Sequence, residues 1–160
     1  MYKEIHIYDI DGTLVDSTHR YKTVAKSDGS LAIDFPFWVA NRHKAGNDIL
    51  LPLAAQYQAQ NSDPEIFTVL ATARAMVLEE FNHVKNVLTL PDFMICRAHG
   101  DNQSGTSLKI DGLDMMQAAY PFLADLPMFF YEDNTDYLTA VVNAFSPLCT
   151  GIYVPSKQGY

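Results

Sequence analysis

The chain has 160 residues, 48% of them hydrophobic, and a formal net charge of −8. That length suits one compact domain over residues 1–160, with a buried core and room for a small insertion, and the acidity argues against a protein that coats nucleic acid with its whole surface. No apolar run reaches membrane-spanning length, the N-terminus lacks the basic start and cleavage site of a secretory signal, and Cys96 and Cys149 have no metal-ligand spacing; a soluble, cytoplasmic protein without disulfides or zinc is expected.

In chain order, Ile5 and Ile7 alternate with His6 and Tyr8 and predict a strand over residues 4–9, closed by an acidic turn at Asp9, Asp11 and Gly12. Residues 17–47 break the pattern that follows. They read as an insertion overhanging the strand ends, with Pro36 and Trp38 and space for one short helix. This segment is also the basic one: it holds Arg20, Lys22, Lys26, Arg42 and Lys44 against Asp28 and Asp34, interleaved with Tyr21, Phe35, Phe37 and Trp38. Cations beside aromatic platforms suit a nucleotide or a single-stranded end.

Leu50, Leu53, Ala54 and Tyr57 recur at helical spacing, with Asp48 placed to cap that helix. Residues 66–72 are apolar on both faces, as a central parallel strand should be, and Val77, Phe81, Val84 and Leu88 form the stripe of the next helix. Residues 92–97 give a third strand. Leu113, Met116, Tyr120 and Leu123 line a further helix, residues 128–133 a fourth strand, Leu138, Val141, Val142 and Phe145 a last helix, and residues 151–154 a closing strand. Strands alternating with helices predict a doubly wound α/β parallel sheet, in which ligands sit outside the carboxyl ends of the strands. Asp9, Thr72 and Asp133 each fall at such an end, so sequence-distant polar groups should meet in one crevice.

Two carboxylates as close as Asp9 and Asp11 cannot both ionise cheaply. Either a divalent cation sits against them, or they divide the roles of base and acid, or both. At this point the residues resemble a known family. "DIDGTL" is similar to the first motif of the haloacid dehalogenase (HAD) superfamily of phosphotransferases, and the later motifs follow in order: Thr72 in "VLATAR", Lys109 in "TSLK", and Glu132, Asp133 and Asp136 in "FFYEDNTDYL".

The resemblance implies a Rossmann-like core, Mg²⁺ as cofactor, and a phosphate ester hydrolysed through an aspartyl-phosphate. Asp9 would be the nucleophile and remain ionised; Asp11 would be the general acid/base and begin protonated; Thr72 and Lys109 would complete the catalytic set. Asp9, Asp11 and Asp133 would hold the metal, with Glu132 or Asp136 assisting. Arg74 matches a substrate-phosphate ligand in one branch, and His19, Arg20, Arg97 and His99 are further substrate-contact candidates. Where that branch usually carries an Arg after its acidic pair, this chain has Asn134.

"YDIDGTLVDSTHR", "LATAR", "GTSLKIDGL" and "YEDNTDYL" resemble the phosphatase domain of phage-type polynucleotide kinase/phosphatases and related RNA-repair-like HAD proteins. That branch implies removal of a 3′-phosphate from a nucleotide or polynucleotide end. No GxxxxGK[ST] motif accompanies it, so a stand-alone phosphatase without a P-loop kinase half is expected. The alternatives are a small-molecule phosphatase, such as a nucleoside monophosphate 5′-phosphatase, which the overall acidity favours, and a catalytically silent HAD scaffold.

Overall fold

Alternation in the first strand sets the layers of the molecule, whose computed structural model describes residues 1–29 and 31–156. In β1 (Glu4–Tyr8), Ile5 and Ile7 pack into one apolar cluster and Tyr8 into another. With β6 (Ile66–Ala75), β7 (Phe93–Arg97), β8 (Met128–Glu132) and β9 (Cys149–Tyr153), it forms a sheet of order β7-β6-β1-β8-β9, parallel at every pairing. Helices α2 (Leu53–Asn61) and α3 (Leu78–Leu88) bring Ala54, Tyr57, Val84 and Leu88 to the Tyr8 face. Helices α4 (Gly105–Ala119) and α5 (Thr135–Ala144) bring Leu113, Met116 and Val141 to the Ile5 and Ile7 face. The result is the expected doubly wound α/β sheet, and β1, between β6 and β8, is where the winding changes direction.

The insertion holds more than one short helix. It opens with a 3-10 turn at Thr18–Arg20, continues as an antiparallel hairpin of β3 (Thr23–Ala25) and β4 (Leu31–Ile33), and runs through α1 (Phe35–Asn41) into a second 3-10 turn at Arg42–Asn47. Asp34 starts α1 by accepting the Phe37 N–H, and Pro36 fits the first turn, where no backbone donor is needed. A two-residue ladder of β2 (Val15–Asp16) with β5 (Ile49–Leu50) closes the base of the insertion.

Three local expectations are corrected. Leu50 is exposed in β5 and lies outside α2, and Asp48 pairs with Arg20 rather than capping that helix. Strand β6 runs three residues past Thr72, with a register break between Ala71 and Ala75, so Arg74 falls within the strand. Tyr120 and Leu123 fall outside α4, because Pro121 starts a separate 3-10 turn.

Candidate active site

Parallel strands all present the same end, so the turns after β1, β6, β7 and β8 converge on one cleft of about 430 Å³. Asp9 follows β1 and is fixed through its N–H to Tyr131 O at 3.0 Å. Gly12 turns the chain away with φ +79°, and an added Cβ there would lie 2.2 Å from the Asp133 carboxylate. Only glycine supplies both the left-handed backbone and the close approach. Thr72 and Arg74 come from β6, and the buried Thr72 Oγ1 accepts the Arg74 N–H at 3.2 Å.

Lys109 reaches the same point from the first turns of α4, whose N-cap Ser104 accepts the Ser107 N–H. It is wholly buried, donates to Asp9 Oδ1 at 2.7 Å and to Glu132, and packs beside the rings of Phe130 and Tyr137. Asp133 accepts from Ser156 at 2.5 Å, a hydroxyl delivered by the chain beyond β9. Asn134 is the N-cap of α5 and accepts from the N–H groups of Asp136 and Tyr137. Asp136 is exposed in the first helical turn, where negative charge is favoured in any helix.

The carboxylates divide into two groups. One oxygen each from Asp9, Glu132 and Asp133 lies within 4.8 Å of the others, a buried oxygen-only donor set of the kind a hard cation such as Mg²⁺ requires. The Asp11 carboxylate lies outside that group. It is bound by Arg74 through Nε and Nη2 and by the hydroxyl of Ser17.

In the metal-free site the surroundings shift the two carboxyls in opposite directions. Burial, and then the adjacent Glu132, push the Asp9 carboxyl up to about 8 against the pull of Lys109. Burial acts upward on Asp11 too, but the Arg74 guanidinium outweighs it and holds Asp11 below the usual carboxylate range. Burial followed by the Asp9 charge raises Asp133. The acidic group is thus short of positive charge, which fits it to a cation.

Among the expected substrate contacts, Arg74 and Arg97 line the cleft. Arg74 Nη1 is buried and, among the described residues, has no hydrogen-bond partner. Arg97 is occupied with backbone carbonyls of Ala73, Asp101 and Gln103. His19 and Arg20 stand away from the cleft lining: His19 is exposed and bonded to Lys44 O, and Arg20 is wholly buried against Asp48 and Glu80. His99 is exposed and also outside it. The insertion contributes Tyr21, Ile33, Phe35 and Trp38 to the wall instead.

A parallel sheet whose switch-point strand ends in a carboxylate, faced by a buried lysine and an acidic cluster, is the fold of HAD-like hydrolases. Solved structures share this fold. A haloacid dehalogenase-like hydrolase from Streptococcus pneumoniae superposes with a TM-score of 0.64 at 12% identity, covering 97% of this chain and 88% of that one. A chain of a Pnkp1/Rnl/Hen1 RNA repair complex gives 0.64 at 14% identity, with 96% of this chain aligned to 43% of that one, and the HAD domain of the Legionella pneumophila effector Lem4 gives 0.59 at 12%, covering 98% and 88%. Sequence comparison with curated proteins finds no match. Residues 1–91 match the family described as bacteriophage T5 5′-deoxynucleotidase, and the chain belongs to that family.

Proposed function

We propose that the protein removes the 5′-phosphate of a deoxyribonucleoside monophosphate, with Asp9 as nucleophile. The observation that carries this reading is the cleft: its volume is in the range of small-ligand sites, and its lining joins the acidic and cationic groups to the rings of Tyr21, Phe35 and Trp38. A phosphate placed against Asp9 leaves the attached base within the aromatic wall. The family's description supports the same choice. A 3′-phosphorylated end, favoured by the motif resemblance, becomes the competing substrate.

In this reading Asp9, ionised with Lys109 and a bound cation beside it, attacks phosphorus, the P–O bond to the nucleoside breaks, and Asp11, protonated once the phosphate has arrived, gives its proton to the departing oxygen. Asp11 then takes a proton from the water that cleaves the aspartyl-phosphate. Lys109 neutralises Asp9 and the phosphoryl oxygens, and Arg74 Nη1 with the Thr72 hydroxyl takes further phosphoryl oxygens. Arrival of the phosphate raises the Asp11 carboxyl toward protonation, because it brings negative charge alongside and draws on Arg74. Mg²⁺ would be held by Asp9 and Asp133, assisted by Glu132, and would supply positive charge against the phosphoryl oxygens.

The test is phosphate release with Mg²⁺ from 5′- and 3′-mononucleotides in deoxy and ribo forms, a 3′-phosphorylated oligonucleotide and a sugar phosphate. The expected result is the highest kcat/KM for deoxyribonucleoside 5′-monophosphates, lost in Asp9→Asn. Faster turnover of the 3′-phosphorylated oligonucleotide would overturn it.

A further inference from the structure

A chain of buried charges runs from the insertion to the cleft. Arg20, at the start of the insertion, donates Nε to Asp48 Oδ1 and Nη2 to Asp48 Oδ2, both at 2.7 Å, while its Nη1 donates to Glu80 at 2.9 Å. All three side chains are 0% exposed. Asp48, immediately after the insertion, uses the same Oδ2 to accept from Arg74 Nη2 at 3.4 Å. The Trp38 ring centroid lies 4.2 Å from the Arg20 guanidinium carbon and 5.4 Å from that of Arg74, so one ring stands against both cations.

We propose that Arg20 and Asp48 are positioning residues for Arg74, fixing its guanidinium so that Nη1 is left for the substrate's phosphate. The inference rests on the reading of Arg74 as a phosphate contact. A buried carboxylate draws in whatever cation is near. With both Asp48 oxygens met by Arg20, Asp48 holds Arg74 only by a long contact, and Arg74 keeps its short pair with Asp11. Loss of the Arg20 fork frees Asp48 to pull Arg74 away from the cleft. Loss of the Asp48 charge leaves two guanidinium groups beside one indole with their shared counter-charge gone. Either change moves the phosphate contact and loosens the Arg74–Asp11 pair, while leaving Asp9 and Lys109 in place. Lysine cannot replace Arg20, because a point charge does not reproduce a fork that meets two carboxylates at once.

The experiment compares Asp48→Asn, Arg20→Lys, Glu80→Gln and Arg74→Ala in KM, kcat and inhibition by inorganic phosphate, alongside thermal unfolding. Asp48→Asn and Arg20→Lys are expected to raise KM and the phosphate inhibition constant together by about tenfold, with a smaller fall in kcat through the Arg74–Asp11 pair, as a displaced positioning group does. Glu80→Gln keeps an acceptor for Arg20 and should lower the unfolding temperature without moving KM. A purely structural role for the pair predicts that all three lower stability and none moves KM. If Asp48→Asn does not fold, Arg20→Lys decides. Wild-type KM in the folded positioning variants, with KM raised in Arg74→Ala, would overturn the proposal. Wild-type KM in Arg74→Ala would overturn the phosphate contact itself, and the proposal with it.

Discussion

Replacing Lys109 by Met removes one charge from the centre of the site while keeping most of the side-chain volume, so the response is electrostatic rather than a cavity effect. Lys109 is wholly buried and shared by Asp9 and Glu132. Removing one partner from such a pair costs about 3–5 kcal/mol, against a typical domain stability of about 5–15 kcal/mol. For a chain of this size each kcal/mol lowers Tm by about 2–4 °C, so the metal-free variant should unfold about 6–20 °C below wild type. The sign of the pH dependence follows from Asp9, whose carboxyl sits at about 8 in the folded protein against an ordinary 3.8. In metal-free wild type the folded state keeps a proton that the unfolded chain has released, so this group's contribution is lost as pH rises from about 4 to about 8. Above about 8 wild-type Asp9 ionises against Lys109. Without Lys109 it stays protonated, and the deficit grows by about 1.4 kcal/mol per pH unit, or about 2 kcal/mol between pH 8 and 9.5. Urea unfolding of both proteins with a chelator at pH 6 and 9.5 measures this. A deficit no larger than that of a surface pair, about 1 kcal/mol, or one that shrinks as pH rises, would refute the reasoning.

Mg²⁺ should raise the unfolding temperature more at pH 8.5 than at pH 6, because a ligating carboxylate must first lose its proton; two units below an Asp9 value of about 8, affinity falls about 100-fold, as thermal shift against Mg²⁺ concentration would show. Gly12→Ala should destabilise the fold by about 1–3 kcal/mol through its left-handed backbone and displace Asp133, so its Mg²⁺ requirement for phosphate release should rise more than the stability loss explains. Trp38→Ala should raise KM for a nucleoside monophosphate by about 5- to 150-fold, the range of one base-stacking contact, while sparing a substrate without a base.

Much of the fold was readable from local pattern. A buried parallel strand is a short apolar run, and three such runs ended at or just before residues that the structure brings to the cleft: Asp9, then Thr72 and Arg74, then Glu132 and Asp133. The helix stripes through Tyr57, Val84, Met116 and Val141 likewise mark the faces that pack on the sheet. Asn134, which departed from the resembling branch, has a local explanation as the cap of α5. The failures lie where a polar side chain had to choose among distant partners. Arg20 looked like a substrate contact because it follows the acidic turn. Nothing in "DSTHRY" indicates that Asp48 and Glu80 will enclose it.

Sequence alone therefore determined the order of the core parallel strands and their helices and the residues at the strand ends, because those depend on short-range periodicity and on a topology that aligns all parallel strands the same way; the kind of chemistry followed from the motif resemblance. Tertiary structure decided the charge pairing. It gave Lys109 to Asp9 and Glu132, Arg74 to Asp11, and Arg20 to Asp48 and Glu80, separating the two acids of "DID" into a cation-seeking group and a guanidinium-bound one. In a buried site the energy of a charge is set by the few groups within hydrogen-bonding distance, and those groups come from segments up to 100 residues apart in the chain.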